Sequence, residues 1–166
     1  MTDQELLKEG LLAFLREDIP REETLSDPVS GEALQEYISS DGERASFADT
    51  FEKLRQEKKA GRDSVICKRA CLRKDTLARM KAETILVQRD YLWALAFGMQ
   101  LTLSETELLF ASCSQYLYGR YRMNAEELRR DRAFEYFIRN RFYDVDLMNI
   151  ILSEAGIAPI GNEIIS

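Results

Sequence analysis

Six residues in one short stretch have the types and spacing to do chemistry, and that chemistry is the holding of anions. Arg69, Arg73, Lys74, Thr76, Arg79 and Lys81 fall within residues 63–83, DSVICKRACLRKDTLARMKAE. Guanidinium and ammonium groups meet phosphates, and Arg, Lys and Thr also reach base edges in the major groove. On that reading Lys74, Thr76 and Arg79 face the groove, while Arg69, Arg73 and Lys81 meet the backbone. Nothing comparable points to catalysis. The chain has no histidine, which removes the commonest general base and nucleophile activator. It has no Gly-rich phosphate loop. The tight acidic pairs near apolar runs are Asp144 with Asp146 and Glu126 with Glu127. Residues two apart point to different helix faces, and Asp144 is better placed as a cap. No catalytic residue is therefore assigned, and an enzyme is not expected. Cys67, Cys71 and Cys113 lack the histidines or further thiolates that a zinc site would need. They read as small thiols in a reducing compartment. No metal and no cofactor is expected.

The six residues need a scaffold that turns them outward. Ile66, Cys67 and Ala70 give one short helix an inward side. Leu77 and Met80 do the same for a second, and Leu72 sits where a tight turn would tuck a residue back into the core. An apolar inside and a cationic outside on two helices joined by a turn is the layout of a nucleic-acid reader. The charge pattern agrees. Residues 1–51 carry a net charge of −9, residues 52–89 of +7, and residues 90–166 of −4. Such a basic segment fits an acidic partner, although ordinary solvated helix faces would account for it as well.

The rest of the chain is patterned for helices. Thr2 to Glu5 has capping-box spacing, with Leu6, Leu7, Leu11, Phe14 and Leu15 following on one stripe. Pro20 closes that helix by about Asp18. Residues 32–39 predict a short helix, and Ser39 to Gly42 is a turn cluster. Ser46 is placed to cap a helix carrying Phe47, Phe51 and Leu54, and Asp63 to cap the first helix of the basic pair. Residues 88–99 are apolar nearly all round and predict a buried central helix, with Trp93 inside it. Ser104 to Glu107 predicts another capping box. Residues 115–123 interleave Tyr116, Tyr118 and Tyr121 with Arg120 and Arg122, which suits stacking on bases or on a protein, or packing on the chain's own core. A helix then runs to Arg139. Asp144 caps a last one, which Gly156 stops. No run approaches the length of a membrane span, and the acidic, amphipathic start is unlike a secretory signal. A cytoplasmic all-α bundle of eight or nine helices is expected, with no membrane partner.

The five helices expected between Ser46 and Ser114 resemble the phage-repressor (Xre-type) helix-turn-helix domains. Ile66-Cys67 stands at the usual Leu-Ala step and Cys71-Leu72 at the turn. Arg73 to Leu77 stands at the polar run that leads to a buried aliphatic. Residues 47–160 are also similar to an all-helical module of Firmicutes related to those domains and found alone or beside macro domains. The parts that match are Asp63-Ser64, Arg73 to Lys81, Ala94 to Phe97, Glu107 to Leu109, Tyr136 to Ile138, Tyr143-Asp144 and Asn149. The resemblance implies a bundle containing a helix-turn-helix and supplies no established activity. Two residues depart from the repressor pattern. Cys71 stands where Gly or Asn takes a left-handed backbone more easily, and Asp75 puts a negative charge on the reading face.

Three parts follow: an acidic helical arm (1–42), a repressor-like unit (43–115) and a C-terminal helical extension (116–166). Two functions are open. The chain is a nucleic-acid-binding or regulatory protein whose partner is double-stranded DNA. Alternatively it is a protein-interaction module, an adaptor, antitoxin or phage-type inhibitor, that meets a protein through the basic face or the Tyr/Arg connector. Paired half-sites would make a dimer natural in the first case. The acidic arm is expected either to complete the core or to dock over Lys74 to Arg79 and mask them.

Overall fold

A computed structural model describes residues 2–16, 46–115, 117 and 125–161. Among these residues eight helices follow one another: α1 (Asp3–Arg16), α2 (Phe47–Lys58), α3 (Asp63–Ala70), α4 (Lys74–Lys81), α5 (Arg89–Gly98), α6 (Leu103–Ser112), α7 (Ala125–Arg139) and α8 (Val145–Glu154). The described residues contain no strand. The chain is an all-α multi-helix bundle, as its periodicity requires. The helix expected over 32–39 and most of the Tyr/Arg connector lie outside the described residues.

The bundle is organised around α5. Every residue from Leu92 to Gly98 is buried, and the helix packs against α3, α6 and α8. Trp93 is fully enclosed between Phe97, Phe110 and Phe134, with ring centroids 5.1–6.4 Å apart. Gly98 lets α3 and α5 cross closely. A Cβ there would lie 2.7 Å from the Ile66 carbonyl oxygen and 3.0 Å from the Ala70 Cβ. A side chain at 98 would therefore push α3 outward.

Polar ties lock α7 to the start of α5. Arg89 and the Trp93 indole N–H (2.9 Å) both donate to Asp131, which is buried, and Arg130 pairs with Asp90. Burial pushes the Asp131 carboxyl above the usual carboxylate range, against the opposing pull of Arg89 and Trp93. Arg130 also donates to the carbonyls of Ala158 and Pro159. The Asn149 amide makes two hydrogen bonds to the Ile160 backbone. Those bonds seat residues 158–161 against the turn after α3. A Cβ on Gly161 would lie 2.5 Å from the Cys71 carbonyl oxygen.

Capping shows where side-chain chemistry sets the helix starts. Ser46 accepts from the Asp49 N–H at 3.1 Å, Thr2 and Glu5 form a reciprocal box, and Asp144 accepts from the Leu147 N–H. Two expected caps are corrected. The second box is built on Thr102 and Glu105, two residues before the expected Ser104, and Lys58 pairs with Glu105 at 2.8 Å. Burial opposes the ionised Glu105, but the Lys58 and Thr102 hydrogen bonds outweigh it and hold the carboxyl below its usual range. The N-cap of α3 is Arg62, not Asp63, and its side chain makes no cap hydrogen bond. Asp63 is the first helical residue and pairs instead with Lys81 across the helix pair.

The described part of the acidic arm, α1, packs on α7 and α8 and not on α4. Leu11 is fully buried. Arg132 donates to the Phe14 carbonyl at 2.8 Å, and the Tyr136 hydroxyl donates to the Leu7 carbonyl at 3.2 Å. Leu6, expected on the inward stripe, is 54% exposed, whereas Leu7, expected on the same stripe, packs against the core. α1 thus completes the core and does not itself pack over the basic pair. Residues 17–45 of the arm lie outside the described residues.

Candidate nucleic-acid interface

The two helices of the basic pair are joined by three residues whose backbone closes the first helix. Cys71 adopts the left-handed conformation (φ 54°, ψ 43°). Its N–H bonds to the Lys68 carbonyl at 3.3 Å, and the Leu72 N–H bonds back to Cys67 at 3.0 Å. This is the Schellman arrangement, in which the residue after the left-handed one packs inward. Leu72 accordingly has no exposed surface. α4 then leaves the turn with Leu77 and Met80 buried and packs on α2 and α3.

The six expected contact residues divide by their surroundings. Arg69, Arg73, Lys74 and Arg79 are exposed. Arg79 pairs with Asp75 at 3.8 Å, but both side chains are more than half exposed. Such a pair contributes about 0.3–0.5 kcal/mol and is readily exchanged for another partner. Thr76 is buried on the inward side of α4, at 7% exposure. It is therefore removed from the groove-facing set. Lys81 is half-buried, paired with Asp63 and, at 3.7 Å, with Glu52, and it lies 4.6 Å from the centre of the Phe51 ring. Lys81 thus ties α2, α3 and α4 together, and the phosphate role expected of it is at odds with that placement.

The structure adds two residues that were not assigned. Lys68 and Arg141 join Arg69 and Lys74 along an open cleft of about 1210 Å³ between α3 and the corner that links α7 to α8. None of these four cations forms an ion pair among the described residues. Asp144 and Asp146 also line the cleft. Asp144 caps α8, and Asp146 accepts from the Cys71 thiol at 3.3 Å. Lys68 was legible as a member of the basic run. Arg141 had no such signal, because its neighbours in sequence are unlike the basic segment and only folding brings it beside α3.

No protein-family model matches the chain, and no curated protein and no solved structure matches it either. Among the described residues no helix is long and apolar enough to cross a membrane.

Proposed function

We propose that the chain binds double-stranded DNA through the α3–turn–α4 unit and acts as a helix-turn-helix regulatory protein. One observation carries the reading. The outward side of α4 and the turn before it present Arg73, Lys74 and Arg79 to solvent, while the opposite side of the helix is packed on α2 and α3. A short helix backed by the core with cations outward is what groove docking requires. Arg79 is the candidate for a base contact, and Arg69 and Arg73 for phosphates; Lys74, expected at the groove, opens on the cleft beside α3 and joins the phosphate set.

Binding of random-sequence duplex DNA, followed against salt concentration, tests this. Three phosphate contacts give a slope of log K against log salt of about −3, at about −0.9 per contact. Arg79→Ala should weaken binding to a preferred sequence by about 1–3 kcal/mol if its contact is bidentate. No measurable duplex binding at low salt would end the proposal.

The alternative is a protein-interaction module that uses the same face. Asp75, 57% exposed beside Arg79, favours it, because a carboxylate facing phosphates is repelled. On that reading heparin and duplex DNA are not retained at low salt, and Asp75→Asn does not improve retention.

A further inference from the structure

The basic segment spans 52–89, yet its cations are put to different uses. Lys58, Arg55 and Lys81 are paired with carboxylates of the bundle. Lys68, Arg69 and Lys74 are not paired among the described residues, and all three open on one cleft. Arg141 reaches the same cleft from the end of α7, from outside the basic segment. Like charges gathered on one concave surface repel each other, and the described residues place no carboxylate within ion-pairing reach to relieve that repulsion. The two carboxylates on the cleft wall are engaged elsewhere, one as a helix cap and one with a thiol. The lining is thus cationic by two charges, with its cations free to turn toward a ligand.

We propose that this cleft binds phosphate groups, and that it extends the α4 interface into a track for one strand of a nucleic-acid backbone. Lys68, Arg69, Lys74 and Arg141 are its phosphate contacts. The strand assignment rests on the DNA reading above, whereas the phosphate chemistry rests on the cleft alone. Three features favour phosphates over a protein segment. The cations come from α3, α4 and the α7–α8 corner, so they are spread along the opening as a backbone needs. Apolar anchors, which carry most protein-protein affinity, are few: of the aliphatic side chains on the lining, Val65 alone is open to solvent, at 39% exposure, whereas Leu72 and Val145 are buried. The Tyr143 hydroxyl is already committed to the Leu101 carbonyl at 3.0 Å.

The test uses the full chain, the variant K68Q/R141Q and, separately, R79Q. Each is titrated with a short random-sequence duplex at several salt concentrations and with inorganic tripolyphosphate. Thermal melting confirms that each is folded. K68Q/R141Q should bind the duplex more weakly, with a salt slope shallower by about two, one per cation removed. It should also lose tripolyphosphate binding, whereas R79Q should keep it. A duplex affinity and slope unchanged in K68Q/R141Q would overturn the cleft and leave the α4 reading standing. Tripolyphosphate binding that K68Q/R141Q loses, with no duplex binding by the wild type, would end the DNA reading and support the cleft as a site for free polyphosphate. Binding of neither ligand by the wild type would overturn both.

Discussion

The junction of α5 with α7 and the cleft beside α3 are both rich in charge, and they treat it in opposite ways. At the junction, Arg89 faces Asp131 and Arg130 faces Asp90, and the Trp93 N–H fills out the Asp131 shell. At the cleft, Lys68, Arg69, Lys74 and Arg141 have no ion-pair partner among the described residues. Buried charge persists in a fold only when it is paired and hydrogen-bonded. Exposed charge needs no partner to persist, so its gathering on one surface calls for another reason. The comparison separates cations that hold the bundle from cations available to a ligand, a distinction that a count of lysines and arginines hides.

The sharpest way to break this comparison is at Asp131. Asp131→Ala removes the partner of Arg89 and strands the buried Trp93 N–H, and should cost about 3 kcal/mol. Urea unfolding measures it, and a loss below about 1 kcal/mol, the net worth of an ordinary hydrogen bond, would show that the junction does not lock α7 to α5. The pH dependence has a definite sign. Burial raises the Asp131 pKa, so the native state keeps that proton to higher pH than the unfolded chain does. Its contribution to stability is therefore greatest at low pH and declines as pH rises from about 4, the ordinary Asp value, through the raised value. Glu105 runs the other way. Its lowered pKa gives a contribution present above the ordinary Glu value and lost as pH falls through the lowered one. Asp131→Asn keeps an acceptor for Trp93 and abolishes only the first trend. Relative to that variant, the wild type should lose stability as pH is raised across the Asp131 window. A constant difference would contradict the assignment.

Within the basic pair itself, Lys81 and Lys74 give a finer contrast. Lys81→Ala loses two ion pairs and the cover over Phe51, and should cost about 1 kcal/mol. Lys74→Ala touches an exposed cation with no ion pair among the described residues and should change stability by no more than about 0.5 kcal/mol. Its effect should appear in ligand binding. Equal stability losses in the two variants would erase the division between structural and available cations.

Much of this was legible in the sequence. The inward residues Ile66, Cys67, Ala70, Leu72, Leu77 and Met80 are buried as their spacing requires, and the apolar run around Trp93 forms the central helix. What was not legible has two physical sources. The first is tertiary. Arg141 reaches the cleft, Lys81 is drawn inward and Thr76 turns inside α4 through contacts distant in sequence or through helix phase that composition does not reveal. The second lies in the helix ends. Lys59, Cys71, Gln100 and Arg141 all take positive φ, and Ala60, Leu72 and Leu101 behind the first three are buried. At these ends an apolar residue follows and helps hold the turn in place of a glycine, whereas Glu83 and Ser114, also at positive φ, are followed by the polar Thr84 and Gln115. The expected cap at Asp63 failed for a related reason, since its carboxylate is taken by Lys81.

Cys71 allows the smallest and most specific test of how the turn is held. A non-glycine residue in the left-handed region costs about 1–2 kcal/mol, and Cys71→Gly removes that cost. The substitution also deletes the thiol that donates to Asp146 at 3.3 Å, worth at most about 0.5–1.5 kcal/mol. It further frees the unfolded chain, which offsets part of the gain. The balance should be a net stabilisation of about 0.5 kcal/mol, read as a small rise in melting temperature. Freed from its thiol, Asp146 would face the cleft cations more openly, so phosphate binding should weaken slightly in the same variant. A fall in melting temperature would mean that the contact between turn and α8 outweighs backbone strain. The cleft walls would then be coupled through Cys71, and Cys71→Ser, which keeps the donor and the left-handed cost, should melt close to wild type.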